Sequence, residues 1–351
     1  MKNGIYIYGI IATSSQDADH RSDSGRGADR RGAVYKPVDR IGIGNEATEV
    51  VTIGFRDIAA VVSSSPLMVY DSLAKEKIVK DLVTHQVVIE KVMEHSTIIP
   101  VKFGTMVETE EEVVTFLEHG YPLLRNELRK MEGKIELDVV ASANVPKILA
   151  SISHQHHEIR RKRAEIATKG AQVSVEDKIS LGQLTVQALQ AQKASYYELM
   201  LHTLQQEALD ICLHELPQDE MILNAAFLLE KQHEESFTQR VKSLDRRLED
   251  TVNFRVVGPL PVYSFATILL ERIDPCRLKE ARETCGLQGE ITHKIVLDTY
   301  RRLAQRYHPD VGSNADSATF QRIHAAYRTL KTWLDHGCMH IEVYRWEKDA
   351  R

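Results

Sequence analysis

The sequence predicts an α+β protein in which two α+β domains are linked by long helices and followed by a small all-α helical hairpin. Short β-branched and apolar runs alternate with amphipathic stretches in two separate regions. An almost unbroken helical periodicity separates these regions, and two more amphipathic helices follow them. At 351 residues, with 43% hydrophobic and 27% charged residues, the chain is long enough for two or three compact units.

The first predicted domain covers residues 1–142, with helices on one face of a mostly antiparallel sheet. Its strands are predicted at Ile5–Ile11, Val50–Ile53, Ile58–Val62, Ile98–Phe103 and Ile135–Ala141. Residues 13–40 are crowded with Ser, Asp, Arg and Gly and contain few apolar side chains. Such a segment buries too little surface to offset its ordering entropy, which predicts a mobile loop.

Two helices are predicted inside this domain. The first begins at Asp71 or Ser72, and four apolar residues are expected on its buried face: Ile78, Leu82, Ile89 and Val92. The second begins at Thr109, where Glu112 three residues later completes a capping box, and runs to about Lys130. Gly120–Pro122 is the point at which this second helix would break.

The second predicted domain, residues 143–272, begins with helices and ends with a second α+β unit. Val145–Leu216 is predicted to be almost wholly helical, divided at Gly170 and at a cap formed by Ser174 and Asp177. The helix after that cap would be about 40 residues long, or roughly 60 Å. The remaining elements are expected at Met221–Leu229, Ser236–Leu248, Asn253–Val257 and Ala266–Leu270.

Residues 273–351 form the third predicted part, a helical module. Thr292 can cap a helix that ends at Tyr307, with a buried face of Val296, Tyr300, Leu303 and Tyr307. Its outer face carries Arg301, Arg302 and Arg306. After the turn His308–Pro309–Asp310, a second helix carries Phe320, Ile323, Ala326, Tyr327 and Leu330, and everything after Pro275 is expected to be helical.

This module resembles the J domain of DnaJ-type co-chaperones over about residues 276–335. The signature loop of that family corresponds to His308, Pro309 and Asp310, and its basic helix to Arg301, Arg302 and Arg306. The resemblance implies recruitment of a DnaK-class heat-shock ATPase. Leu297, Asp298 and Val311 depart from the family pattern, and the alternative is a degenerate hairpin that is kept only for packing.

Five further segments follow one another along the first 270 residues: Ile5–Ile10, Thr84–Glu90, Ile98–Thr105, Lys178–Gly182 and Gly258–Phe265. In this order they are similar to segments of the gas vesicle accessory proteins of the GvpF/GvpL family. The resemblance implies a role in gas vesicle formation through contact with the small hydrophobic shell protein GvpA and with other gas vesicle accessory proteins. It implies no catalysis. Leu260 and Val262 depart from the family's usual Trp and Pro.

Net charge, the length of apolar runs and the cysteine content argue against several other classes of protein. The net charge of −5 is small and argues against a nucleic-acid or anionic-membrane partner. No apolar run reaches the roughly 20 residues that span a bilayer. The four scattered cysteines favour a reducing cytoplasm.

No cofactor, metal or catalytic site is expected. His154, His156 and His157 would point around one helix without a carboxylate to complete a metal site, and Arg160–Arg163 would form a solvated face. His85 lies near the buried face of its helix, which favours a hydrogen-bonded core histidine over a catalytic base.

These interpretations lead to one hypothesis and two rivals. The hypothesis is a cytoplasmic, vesicle-associated assembly protein, not an enzyme, that binds the shell protein and recruits a DnaK-class chaperone. The first rival is a minor structural component of the vesicle with a degenerate hairpin, which would stay with washed vesicles in fixed ratio to the shell protein. The second is a general co-chaperone unrelated to vesicles.

Overall fold

The computed structural model describes residues 3–13, 39–43, 48–68, 75–273, 275–308, 316–337 and 339–346. Most of the predicted mobile loop at 13–40 lies outside these ranges, although Asp39 and Arg40 at its end belong to a strand. The predicted caps Asp71 and Ser72 and the turn residues Pro309 and Asp310 also lie outside them.

The chain combines helices and strands, which confirms the α+β class. The strands are β1 (Asn3–Ala12), β2 (Asp39–Gly42), β3 (Thr48–Phe55), β4 (Ile58–Pro66), β5 (Ile98–Pro100), β6 (Met106–Val107), β7 (Lys134–Ala143), β8 (Asp210–Leu213), β9 (Met221–Glu230), β10 (Val252–Leu260), β11 (Thr267–Arg272) and β12 (Met339–Tyr344). The helices are α1 (Lys75–Met93), α2 (Glu110–Met131), α3 (Val145–Gln155), α4 (His157–Lys169), α5 (Val175–Leu204), α6 (Glu234–Leu248), α7 (Pro275–Cys285), α8 (His293–Tyr307) and α9 (Ser317–His336).

Contacts divide the chain into two compact units. The first unit comprises residues 1–88, 101–125 and 268–344, and the second comprises 89–100, 126–267 and 345–351. The C-terminal helices are therefore grouped with the N-terminal sheet. The division at 1–142, 143–272 and 273–351 remains a prediction.

The first unit is built on an antiparallel sheet in which β2, β3, β4 and β1 pair in that order, and β6 also pairs with β1. The pairing of β1 with β4 shifts register between Ile7 and Gly9. Tyr6 and Tyr8 of β1 are fully buried. This central strand therefore supplies the largest side chains of the unit's interior.

Helix α1 differs from its predicted orientation. Leu82 was expected on the buried face but is 45% exposed, whereas Asp81 and His85 are buried. The reason is that the sheet offers hydroxyl partners to the helix, so polar side chains can be satisfied inside while apolar ones face outward.

Helix α2 begins as predicted and continues where a break was expected. The amide of Glu112 donates to Thr109 Oγ1 over 3.3 Å, and Glu112 Oε2 in turn accepts from the amide of Glu108 over 2.8 Å. The predicted break at Gly120–Pro122 is wrong, because the helix runs through Pro122. Phe116, Leu117 and Leu124 are buried on both sides of the proline, and this burial offsets one lost backbone hydrogen bond.

The second unit contains an antiparallel sheet with strand order β10-β7-β9-β8. Leu137 lies opposite Phe227 in the pairing of β7 with β9, and the Phe227 ring packs against Phe237 of α6 with centroids 5.1 Å apart. Helices α3, α4 and α6 all contact α5. The core lies between these helices and the sheet.

The helical region 145–216 was predicted with too few interruptions. The first helix is split because His156 adopts an extended backbone between α3 and α4. Helix α5 is capped by Ser174 and Asp177 as predicted but has 30 residues, not about 40. Asp210–Leu213 is not helical, because it pairs with β9 as an edge strand.

The predicted C-terminal helices are present, and Thr292 caps α8 as expected. The prediction that everything after Pro275 is helical is wrong at Met339–Tyr344, which forms β12 and pairs with β11. Within the described ranges, no helix combines the length and the apolar composition that a membrane-crossing segment needs.

Candidate functional site

The candidate site is the surface of the hairpin formed by α8 and α9. His293, at the start of α8, lies 2.7 Å from Asp335 near the end of α9. At the opposite end of the pair, the His308 ring lies edge-on to Phe320 with centroids 4.9 Å apart. The two helices are therefore antiparallel, as the sequence predicts.

Aromatic stacking and a small core hold the two helices together. Tyr300 stacks on Tyr327 with centroids 4.2 Å apart, and its hydroxyl bonds His324 Nδ1 at 3.1 Å. The core cluster consists of Ala281, Cys285, Ile291, Val296, Ala326 and Leu330. Helix α7 contributes the first two of these residues, so the hairpin rests on a third helix.

The predicted site residues that the structure describes lie on one exposed stretch of α8. Arg301, Arg302 and Arg306 are all exposed, and the Arg306 guanidinium lies over the Tyr307 ring at 5.5 Å. His308 ends the helix, and its amide donates to Ala304 O over 2.9 Å. Pro309 and Asp310 lie outside the described residues. This arrangement presents fixed positive charge beside an imidazole, which suits docking onto an acidic protein surface.

A first buried polar network joins β1 to α1. Tyr6 Oη lies 3.0 Å from His85 Nδ1 and also accepts from the amide of Gly104 over 3.0 Å. Tyr8 Oη bonds Ser63 Oγ at 2.8 Å and accepts from the amide of Ile43 over 2.7 Å. Burial lowers the pKa of His85 to about 4, so the ring is neutral near pH 7. The prediction of a hydrogen-bonded core histidine is confirmed.

A second network, in the second unit, was not predicted from the sequence. Ser264 donates from both its amide and its hydroxyl to Glu136, each over 2.8 Å. Burial, with a contribution from the nearby Asp138 charge, raises the pKa of Glu136 to about 8. The signal that points to it is the pair of acidic residues at positions 136 and 138 of a mostly apolar strand, since alternate residues share a face.

Trp346, the last described residue, is hydrogen-bonded to this network. The amide of Trp346 donates to Ser264 O over 2.9 Å, and Cys212 Sγ donates to Trp346 O over 3.2 Å. The Trp346 ring lies edge-on to His214 with centroids 5.4 Å apart. Burial raises the pKa of the Cys212 thiol to about 11, so this thiol is protonated and poorly nucleophilic near pH 7.

The other charged or histidine-rich segments are exposed. His154, His156 and His157 are exposed and do not share one helix, because α3 ends before His156. Arg160, Arg161 and Arg163 are exposed and Lys162 is half-buried. Among the described residues, no group of three or more His, Cys, Asp or Glu side chains is arranged to hold a metal ion.

Known structures share this fold. The gas vesicle protein GvpF from Anabaena sp. matches with a TM-score of 0.57 and 24% identity over 75% of this chain and 97% of that chain. GvpF from Microcystis aeruginosa matches with a TM-score of 0.51 and 22% identity over 74% of this chain and 98% of that one. The fold is therefore that of these two GvpF structures.

Sequence comparison identifies the family. The chain belongs to the GvpL/GvpF family of gas vesicle synthesis proteins, whose family model matches residues 4–267. Gas vesicle protein F of Nostoc sp. is 29% identical over 192 residues, which cover 54% of this chain and 78% of that protein. Gas vesicle protein F of Microcystis aeruginosa is 24% identical over 275 residues, 77% of this chain and the whole of that protein. The protein therefore has a gas vesicle-related role.

The hairpin lies beyond the family match. The match ends at residue 267, while α7, α8 and α9 occupy residues 275–336. The candidate chaperone-binding residues thus belong to a segment on which the family assignment does not bear.

Proposed function

We propose that the protein is a gas vesicle assembly factor that binds the hydrophobic shell protein GvpA and recruits a DnaK-class chaperone to it. The observation that carries the proposal is the exposed basic stretch of α8, with His308 at its end, on a hairpin that lies beyond the family match. The protein acts by binding other proteins in the cytoplasm, including other gas vesicle accessory proteins, and not by catalysis.

Charge supports the chaperone half of the proposal. Arg301, Arg302 and Arg306 lie within about two helical turns and are exposed, while the opposite side of α8 packs through Val296 into the helical core. Clustered arginines attract an acidic surface and accelerate encounter with it. Recruitment through this surface would raise the effective concentration of chaperone near a client that the same chain holds.

The exposed side of α1 supports the shell-protein half. Val79, Leu82, Val83 and Val87 are 59%, 45%, 55% and 37% exposed and fall on neighbouring turns of the helix. A contiguous apolar surface of this kind is typical of protein-binding sites. The buried side of the same helix combines Asp81 and His85 with the apolar Val88, Ile89 and Val92, so the exposed valines and Leu82 form a second apolar surface that the interior of the unit does not use.

An aggregation assay tests the proposed binding of the shell protein. Shell protein diluted from denaturant should scatter less light when the full-length protein is present, and Val83→Glu should abolish most of this protection. Ile295→Glu is the matched control, because Ile295 is an apolar residue of another helix with 42% exposure. If Val83→Glu suppresses aggregation as well as wild type does, α1 is not the binding surface. If wild type does not suppress aggregation at all, the protein does not bind the shell protein in this way.

Vesicle washing separates this proposal from the structural alternative. An assembly factor should be lost from intact, washed vesicles, because its contact with the shell protein is transient. Retention in fixed ratio to the shell protein would contradict the proposal and establish a vesicle component.

A further inference from the structure

The long helix α5 carries an exposed apolar stripe that the fold of one chain does not use. Val175, Ile179 and Val186 are 72%, 54% and 58% exposed. With Gly182 they follow the spacing i, i+4, i+7, i+11, so all four lie within about 60° of the helix circumference at 3.6 residues per turn. The other side of α5 is packed into the second unit through Leu181, Leu184 and Ala188. This stripe is called the α5 seam below.

Gly182 has no explanation within a single chain. It lies inside the 30-residue helix, where glycine is less favourable than alanine. A methyl group built at Gly182 would meet no other atom of the described residues within 4 Å. Neither backbone conformation nor packing therefore requires glycine here. A glycine on an exposed helix face does provide a notch that lets a second helix approach closely.

The α5 seam fits a second copy of itself when the two helices run antiparallel. Its spacing of four, three and four residues is unchanged when the helix direction is reversed. In an antiparallel pair related by a twofold axis, Val175 lies opposite the partner's Val186. Ile179 lies opposite the partner's Gly182, so each isoleucine meets the space left by a glycine. This is the knob-and-hole match that helix pairs require, and a twofold axis makes it occur twice.

The residues beside the seam permit self-association. The charged residues next to it are Glu176 and Lys178, and the following exposed positions are the neutral Gln183 and Gln187. In the antiparallel pair, Glu176 comes near the partner's Gln183, and Lys178 near the partner's Thr185. No like charges therefore oppose each other, which removes the usual electrostatic barrier to pairing of identical helices.

We propose that the α5 seam is a homodimerisation surface that binds a second copy of this chain as an antiparallel helix pair. From Val175 to Val186 the seam is about 16 Å long at 1.5 Å per residue, so the buried area falls below that of a standard stable interface. The dimer is therefore weak and concentration-dependent. It becomes populated where copies are gathered on a common target, because gathering raises their effective concentration.

Sedimentation equilibrium of the full-length protein over about a hundredfold concentration range tests this proposal. Wild type should show a monomer–dimer equilibrium, and Gly182→Leu should weaken it by about tenfold or more because leucine fills the notch. Ala191→Leu is the matched control, since Ala191 is an exposed small residue of the same helix about 160° away from Val175. Helix content by circular dichroism should be the same in all three proteins.

A swap variant tests the register. Ile179→Gly combined with Gly182→Ile exchanges knob and notch, so the antiparallel pair keeps its match and dimerisation should be restored relative to Gly182→Leu. Wild type that stays monomeric throughout, or a dimer that Gly182→Leu leaves unchanged, would overturn the proposal. A third outcome would also overturn the proposal. If wild type is monomeric, and cells form vesicles with Ala191→Leu but not with Gly182→Leu, the α5 seam binds a different protein.

Discussion

Ser264 donates two hydrogen bonds to the carboxyl group of Glu136, a residue 128 positions earlier in the chain. One bond comes from its amide and one from its hydroxyl, each over 2.8 Å. The two residues join β7 to the segment that follows β10, and Trp346 bonds the carbonyl of the same serine. Glu136 is therefore the centre of a buried polar contact that holds three separate parts of the second unit together.

Glu136 should make the second unit less stable as the pH rises. Burial raises its pKa from 4.5 to about 8, so between these values the folded chain retains a proton that the unfolded chain releases. Stability is therefore greatest below about pH 4.5 and falls as the pH rises through 8, by up to roughly 1.4 kcal/mol per pH unit. Glu136→Gln, which stays neutral, should remove this slope. Hydrogen exchange of β7 between pH 5 and 8 measures it.

The matched control for this prediction is Glu132→Gln, an exposed carboxyl four residues earlier. It should reproduce the pH slope of wild type. A Glu136→Gln protein with the slope of wild type would show that Glu136 is already ionised in the folded state.

His85 should give the first unit the opposite pH dependence at lower pH. Burial lowers its pKa from 6.5 to about 4, so between these values the unfolded chain binds a proton that the folded chain does not. Its stabilising effect is complete above about pH 6.5 and is lost as the pH falls towards 4. We expect the protection factors of the β1 amides, which are corrected for the pH dependence of intrinsic exchange, to fall over this range in wild type, and less so in His85→Gln. His95→Gln, with an 85% exposed side chain, should behave as wild type.

Tyr8→Phe should destabilise the first unit by about 1–3 kcal/mol, the usual cost of leaving a buried donor without a partner. The phenol accepts from the buried Ile43 amide and bonds Ser63, and phenylalanine can do neither. Urea unfolding measures the change. Tyr344→Phe, at a 38% exposed tyrosine, provides the comparison and should lie within about 0.5 kcal/mol of wild type. Equal stability of Tyr8→Phe and wild type would show that a water molecule replaces the phenol.

The sequence predicts those parts of the fold that depend on local signals. Thr109, Ser174 and Thr292 all cap helices as expected, because a capping side chain and its target amide are three residues apart. The antiparallel strands of both units were also largely located, since their apolar runs are bounded by turns.

The errors arise where distant partners decide the structure. Asp210–Leu213 continues the helical pattern of α5 but becomes β8 because β9 offers it an edge to pair with. Leu82 faces outward because Tyr6, far away in sequence, provides a partner for His85. The Glu136 network was missed for the same reason, since nothing near Glu136 in the sequence indicates that Ser264 will reach it.

The candidate site was predicted in part. The exposed Arg301, Arg302 and Arg306 follow from the helical periodicity of α8, which is a local property. Chaperone recruitment itself stays a prediction, because the hairpin geometry is compatible with a purely structural role.

Steady-state ATP hydrolysis by the host's DnaK-class chaperone is the most direct measurement of the proposed function. The full-length protein should stimulate hydrolysis, and His308→Gln should lose the stimulation. Arg302→Glu should weaken it by about tenfold through charge repulsion, whereas Arg328→Glu, an exposed arginine on α9, should leave it nearly unchanged. No stimulation by folded wild-type protein, or equal stimulation by wild type and His308→Gln, would contradict the account and leave the hairpin as a packing element of the first unit.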